Sequence, residues 1–533
     1  MIMPQPLCVT VLTDIHHYSV KNGVDGKAYE KANSKSQILL AESGEVLDSL
    51  FSKIASDTRS DIVLISGDLT SNGDLESHKE IIEKLRQLKA HGKRIYVITA
   101  THDFRNSGIT DAYSGDKKIS VPTATRDMLF DMYREFGPDE AIALHRESMS
   151  YVIQLQDGYR LFALNDDTNG NGKSGFSDEC FEWISEQAKK AHDDNQLIIA
   201  MTHHPLISPS PLYKIIGGGN MLGDYEKRIE QLAELGISFV LTGHTHIHNI
   251  SDYYSESGNR LYDICTGSPI GYPGVMRLIT FDDTVKVITE YTPTPPSFES
   301  RGENIKDVLE RQFIGVIKNM IEYAAVDTDK LADAAQSISI KPKVIYKFAW
   351  IIKPVFKLLN SLKVGTVAKW TKKETGLEKS DYEAVKDIRV VDIITELVLN
   401  LYAGESKYPP QTLIYKITVG FLHIIDSILG ILHINMKKIT KEVNCVTDLI
   451  KQLLYNNCFD SYTAELTVPE YYTTPQAQKE HKPESVDNVK KSKKGLPILL
   501  CAFAAVVLFL PVWLIAIIFA YCINAVKYRK KIK

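Results

Sequence analysis

The chain has 533 residues, of which 44% are hydrophobic and 24% charged, a balance that excludes a wholly disordered or fibrous protein. At roughly 150 residues per domain, the length suits about three domains or one large domain with appendages. The net charge of −4 hides two unlike parts: residues 1–300 carry 42 acidic and 28 basic side chains, and the remainder nets +10. A single soluble domain rarely segregates charge in this way, so the two parts are expected to face different partners.

Residues 1–13 have no basic start and no long apolar run, and read as a first strand rather than a signal peptide. Strand-like runs follow at 62–65, 95–98, 161–164, 197–201, 239–241 and 275–281, after a first at 8–12. Helical patterns lie between several of them, at 36–51, 76–88, 125–136 and 225–235. Alternation of this kind predicts an α/β layered domain over residues 1–295, with short apolar strands covered by helices. The segment 292–296, with three prolines in five residues, marks its end. Residues 300–470 read as a helical domain of about six helices, including 304–323, 384–402 and 412–432. The apolar stretch 413–436 is interrupted by Lys416, His423, Asp426 and His433, which favours a buried or interfacial helix over a membrane span. Residues 471–494 form a polar, basic linker. Residues 495–526 then run for 32 positions without Asp, Glu, Lys or Arg, enough for a transmembrane segment. A basic tail follows at 527–533. Lysines flank the apolar run on both sides, so charge alone does not orient it. The expectation is a single C-terminal anchor with the catalytic domain in the cytoplasm; a re-entrant hairpin bent at Pro511 ranks second. Seven scattered cysteines with no C-x-x-C pair argue against a disulfide framework and a thiolate zinc site.

Five short motifs end predicted strands: Asp14-Ile15-His16, Gly67-Asp68, Thr101-His102-Asp103, His203-His204-Pro205 and Gly243-His244-Thr245-His246. The C-terminal ends of strands in an α/β sheet are where side chains converge on one crevice. A single D-x-H or G-D carries no information; five in order, each after an apolar strand, do. Histidine and aspartate together suit a nitrogen and oxygen donor site for two divalent metal ions of the Mn, Fe, Zn or Co type. Two cations about 3.5–4 Å apart can be bridged by a carboxylate and a hydroxide, lower the pKa of bound water and neutralise a phosphoryl group.

This ordered set resembles the calcineurin-like metallophosphoesterases over about residues 6–290. The stretch 66–73, Ser-Gly-Asp-Leu-Thr-Ser-Asn-Gly, is most similar to the cyclic-nucleotide phosphodiesterase branch. The resemblance implies a sandwich of two β-sheets flanked by helices. It also implies that Asp14, His16 and His246 hold one metal, that Asp68 bridges, and that His203 and His244 hold the second. His102 would be the acid near the leaving group and Asp103 would orient it, with metal-bound hydroxide as nucleophile. The family usually has Gly-Asn-His at the third motif, with Asn as a ligand; here Thr101 takes that place, a shorter and weaker donor. Asn72, His17 and His204 are candidate substrate contacts. His17 and His204 each follow a proposed ligand, however, and neighbours on a strand point to opposite faces.

Between 341 and 373 lie nine lysines and no acid, interleaved with Tyr346, Phe348, Trp350, Phe356 and Trp370. Such a mixture suits a helix lying on an anionic membrane; a solvated face is the plain alternative, and nucleic acid ranks third. The sequence thus reads as a membrane-anchored phosphoesterase acting on a phosphate ester, first of all a cyclic nucleotide or related phosphodiester. A phospholipid headgroup or a phosphomonoester is the alternative substrate. A phosphoryl-ligand sensor or scaffold without turnover is the alternative of another kind.

Overall fold

The computed structural model describes residues 5–472 apart from 217, 337–340, 432, 441–442 and 456–458. In chain order the strands are β1 (Leu7–Leu12), β2 (Ile62–Ser66), β3 (Arg94–Ile98), β4 (Ile109–Ser114), β5 (Lys117–Pro122), β6 (Ala143–His145), β7 (Ser150–Gln156) and β8 (Tyr159–Ala163). They continue with β9 (Leu197–Met201), β10 (Phe239–Thr242), β11 (Asn249–Tyr254), β12 (Arg260–Cys265), β13 (Val275–Phe281), β14 (Thr284–Tyr291) and β15 (Thr463–Thr467).

Two mixed sheets form a sandwich. The first has the order β15-β14-β13-β1-β2-β3 and the second β11-β12-β10-β9-β8-β7-β6; β4 and β5 make a separate hairpin. The central strands β1, β2 and β3 run parallel, as do β8, β9, β10 and β12. Alternate side chains divide between two faces. Val9, Val11, Leu64 and Tyr96 meet Tyr151, Leu161, Ile199 and Phe239 between the sheets. The other faces are covered by helices: Ser43–Ser56 and Leu75–Ala90 on the first sheet, Asp178–Asp193 and Tyr225–Glu234 on the second. Burial on both faces explains why the central strands read as unbroken apolar runs.

The expected α/β sandwich followed by a helical region is what the chain forms. Two expectations need correction. The helix expected at 36–51 begins only at Ser43, because residues 38–39 cross to the far side of the site: Ile38 bridges Gly271, and Leu39 N donates to Ile270 O at 2.9 Å. The region 300–470 is not wholly helical, because β15 pairs antiparallel with β14 and closes the edge of the first sheet. The apolar helix Leu413–Ile431 is long enough to cross a membrane by composition, and half of that stretch is buried, with Ile417, Phe421 and Ile425 in the helical core, in keeping with the buried helix expected there. Its Asp426 accepts from Val446 N and Thr447 N and so caps the helix Val446–Leu454. The linker beyond residue 472, the 495–526 segment and the 527–533 tail lie outside the described residues.

Candidate metal centre

Strand ends deliver the five motifs to one place. β1 ends before Asp14 and His16, β2 before Asp68, β3 before His102, β9 before His203, and β10 before His244 and His246. The backbone turns sharply after β1, β2 and β10. Asp14, His16, Asp68, His244 and His246 all have φ between 37° and 65°, five of the nine non-glycine residues with positive φ among those described. Side chains rarely adopt that region, and such strain gathers at functional sites. Two glycines are required by contact. A Cβ on Gly67 would come 2.7 Å from His203 Nδ1, and one on Gly243 would collide with the Thr13 and Asp14 side chains.

Three overlapping groups converge: Asp14, His16 and His246; His16, Asp68 and His102; and Asp68, His203 and His244. Asp14 Oδ1 lies 3.6 Å from His16 Nε2 and 3.5 Å from His246 Nε2. Asp68 Oδ2 lies 3.1 Å from His203 Nε2 and 3.8 Å from His16 Nε2, so its carboxylate faces both ends of the cluster. Ring nitrogens meet at 3.1 Å between His16 and His246, and at 3.2 Å between His203 and His244.

The surrounding groups aim these atoms. His203 Nδ1 donates to Ser66 O at 2.7 Å, leaving the Nε2 lone pair for the centre. Asp14 Oδ2 accepts from Thr13 Oγ1 and His244 N, and Asp68 Oδ1 accepts from His102 N at 2.9 Å. The inward oxygens, Asp14 Oδ1 and Asp68 Oδ2, are buried and have no hydrogen-bond donor among the described residues. Burial alone would raise the Asp14 carboxyl; the His16 and His246 rings outweigh it and hold it well below the usual range. Burial pulls the His203 ring down, but the Asp68 charge prevails and lifts it to about 10. Two carboxylates, unpartnered oxygens and facing imidazole nitrogens form a cluster short of positive charge. Two divalent cations fit that demand, and the site is a dinuclear metal site.

The remaining expected residues divide. His102 reaches the cluster, with Nδ1 held by Ser71 O at 2.7 Å and its ring 4.9 Å from His16. Asp103 does not touch that ring, which corrects its expected orienting role. Its carboxylate accepts from Thr70 N, Thr70 Oγ1 and Ala100 N and ties two loops together. Burial, with the Asp68 charge behind it, pushes Asp103 up to about 7. Thr101 is half-buried, its carbonyl accepting from Arg105 at 2.7 Å; among the described residues no hydrogen bond ties its hydroxyl to the cluster. The His17 ring is committed to Glu80 Oε2 at 2.9 Å. His204 lies against His244, ring centres 4.1 Å apart, with Nδ1 3.1 Å from Asp166 Oδ2. Asn72 donates to Asp111 O of the β4–β5 hairpin.

Two positioning residues escape the motifs. Asp263, on β12, accepts from Leu206 N at 2.7 Å and Ile207 N at 2.8 Å with one oxygen, and from Thr242 Oγ1 at 2.6 Å with the other. It clamps the turns that carry His203 and His244. Ser268 Oγ donates to Asp14 O at 2.7 Å. An aspartate inside an apolar strand, Leu-Tyr-Asp-Ile-Cys, is the signal that points to the first; a lone serine gives none.

Residues 8–248 match the family of calcineurin-like phosphoesterases. No curated protein matches the chain. Similar solved structures include a dimetal phosphatase from Danio rerio, 12% identical, covering 53% of this chain and 95% of that one at a TM-score of 0.38. A purple acid phosphatase from yellow lupin seeds (Lupinus luteus) is 13% identical, covering 54% and 52% at 0.33. The NAD nucleotidase of Haemophilus influenzae is 11% identical, covering 52% and 47% at 0.28.

Proposed function

Residues 8–248 are a calcineurin-like metallophosphoesterase domain with a dinuclear metal site, and from that premise we propose that the protein hydrolyses a phosphodiester at a membrane surface. The observation that carries the reading is Asp68, whose carboxylate faces both halves of the cluster. In this reading Asp14, His16 and His246 would hold one cation and His203 and His244 the other, with Asp68 available to both. Thr101, at the third motif, would offer the second cation at most a weak neutral donor. When bound, the pair supplies Lewis acidity toward the phosphoryl oxygens and toward water.

The chain's own residues do the rest. Ser71 O occupies His102 Nδ1, so Nε2 is the atom at which a proton passes to the leaving oxygen. Asp103 holds the Thr70 and Ala100 backbones and thereby fixes the turn that carries His102. Asp166 orients His204, whose ring lies against that of His244. Cyclic nucleotides remain the first substrates to test, because of the resemblance at 66–73. The membrane part of the reading rests on the 495–526 segment and on Trp350, 74% exposed beside the exposed Lys347; it places the catalytic domain in the cytoplasm.

The test uses bis-p-nitrophenyl phosphate and p-nitrophenyl phosphate with added Mn²⁺, on the full chain and on Asp68→Ala. The diester is expected to be cleaved faster, and Asp68→Ala to lose at least a hundredfold. Equal rates in the two proteins would remove the enzyme reading and leave binding without turnover.

A further inference from the structure

The helical region encloses a cavity of about 300 Å³, at the lower end of the range of small-molecule sites, roughly 300–1,000 Å³. Its walls are mainly aliphatic, from Ile317, Leu359, Val367, Leu397, Ile417 and Leu422 among others. Nine polar side chains also line it, Lys35 among them; Gln37 lies within hydrogen-bonding reach of Tyr402, and Asn220 within reach of Tyr213.

That polar end abuts the metal centre. Tyr213 and Tyr402 pack on Ile247, the residue after His246. Tyr402 O accepts from His248 N at 2.8 Å. On the other side, Leu222 N donates to Pro205 O at 2.9 Å, so the segment bearing Tyr213 and Asn220 hangs from the turn of His203 and His204. The outer wall is the helix Pro342–Ser361. Ile345, Phe356 and Leu359 line the cavity from within. Lys343, Tyr346, Lys347, Trp350 and Lys357 face outward and are exposed. The same helix therefore separates an apolar chamber from a basic, aromatic surface suited to anionic lipid.

We propose that this cavity takes the hydrocarbon chain of the substrate, a single-chain amphiphilic phosphoester whose phosphate sits at the dinuclear centre. The proposal rests on the hydrolase reading and deepens it: the helical region selects substrates by their apolar tail. The charged head would lie at the metals and the methylenes among Leu397, Ile417 and Leu422.

The test compares 4-nitrophenyl methyl, octyl and dodecyl phosphates on the full chain, below their micelle concentrations, with nitrophenol release as readout. Each methylene that becomes buried is expected to raise kcat/KM about fourfold, and the dodecyl ester to exceed the methyl ester at least thirtyfold. Leu397→Trp is expected to lower that ratio at least tenfold, with Val398→Phe as the substitute if the tryptophan variant does not fold. Independently of turnover, 11-(dansylamino)undecanoic acid should bind once per chain and be displaced by dodecyl phosphate but not by methyl phosphate. A flat chain-length series overturns the proposal, whether or not the dansyl probe binds. A rising series that Leu397→Trp and Val398→Phe leave intact overturns it too, because the chain then lies elsewhere. If no ester is cleaved, the hydrolase reading fails, and the dansyl titration alone decides the cavity: displaceable one-to-one binding upholds it and no binding overturns it.

Discussion

Asp263 separates two ways in which a buried carboxylate can hold a site: by its charge or by its acceptor oxygens. It is 2% exposed, and burial pushes it from 3.8 up to about 6 against three hydrogen-bond donors. That rise costs the charged form about 3 kcal/mol. The folded value lies above the unfolded one, so this group's stability is fully present below pH 3.8 and is lost as pH rises through about 6. At pH 7.5 the charge is a burden, and the acceptors are the benefit. Asp263→Asn keeps an oxygen for Leu206 N and Ile207 N and turns an amide toward Thr242, whose hydroxyl rotates to accept. Its stability should equal or exceed that of the parent by up to about 3 kcal/mol. Asp263→Ala strands two buried amide donors at about 2 kcal/mol each, so it should fall about 4 kcal/mol below the Asn variant. The turns of His203 and His244 then drift, and affinity for the second cation should drop about 10- to 100-fold. Urea unfolding of the chelated chain gives the first number, and calorimetric titration with Mn²⁺ the second. If Ala matches the parent in both, Asp263 is not a clamp. If Asn costs as much as Ala, the charge matters and the acceptor argument fails.

Thr101→Asn supplies a stronger neutral donor at the third motif and should tighten the second cation at least tenfold; unchanged stoichiometry and affinity in the same titration would show that position 101 is not a ligand. His78 is fully buried between Tyr133 Oη and Asp103 O, and burial pulls it from 6.5 down to about 4. A depressed histidine loses stability as pH falls below 6.5, about 2 kcal/mol between pH 7.5 and 5; His78→Gln should flatten that slope, and parallel curves would exclude His78 as its source. Arg277 is wholly buried and donates to Ser461 O at 2.7 Å and Cys265 O at 3.0 Å. Arg277→Met should cost about 3 kcal/mol and raise hydrogen exchange at β15 while leaving cation affinity unchanged. Trp350→Ala should weaken binding to anionic vesicles about tenfold, and equal binding to anionic and neutral vesicles would remove the lipid surface.

Legibility in the sequence followed distance along the chain. The five motifs were readable because each ligand sits two to four residues past an apolar strand, and a strand end leaves little freedom in where it points. The two-sheet core was readable for the same reason, from unbroken runs such as Ile62–Ser66. Contacts that join remote segments were not. Asp263 meets Leu206 across 57 positions, and Ser268 meets Asp14 across 254; neither spacing leaves a pattern. Asp103 shows the limit within a motif: its place beside His102 suggested a partner for that ring, but the backbone turn sends its carboxylate to Thr70 and Ala100. β15 was hidden because Thr-Ala-Glu-Leu-Thr is short and half-polar, as an edge strand is.

That last strand decides how the protein can be cut and made. Everything between β14 and β15 is an insertion into the first sheet, bracketed by Tyr291 and Thr463. A fragment ending at residue 295 would leave β14 as a bare edge with unpaired amides, a template for pairing with other copies. On the ribosome, the same edge waits open while some 170 residues of helix are synthesised, and it closes only when residue 467 has emerged. Catalytic sheet and helical chamber are thus finished together, by one late hydrogen-bonded ladder.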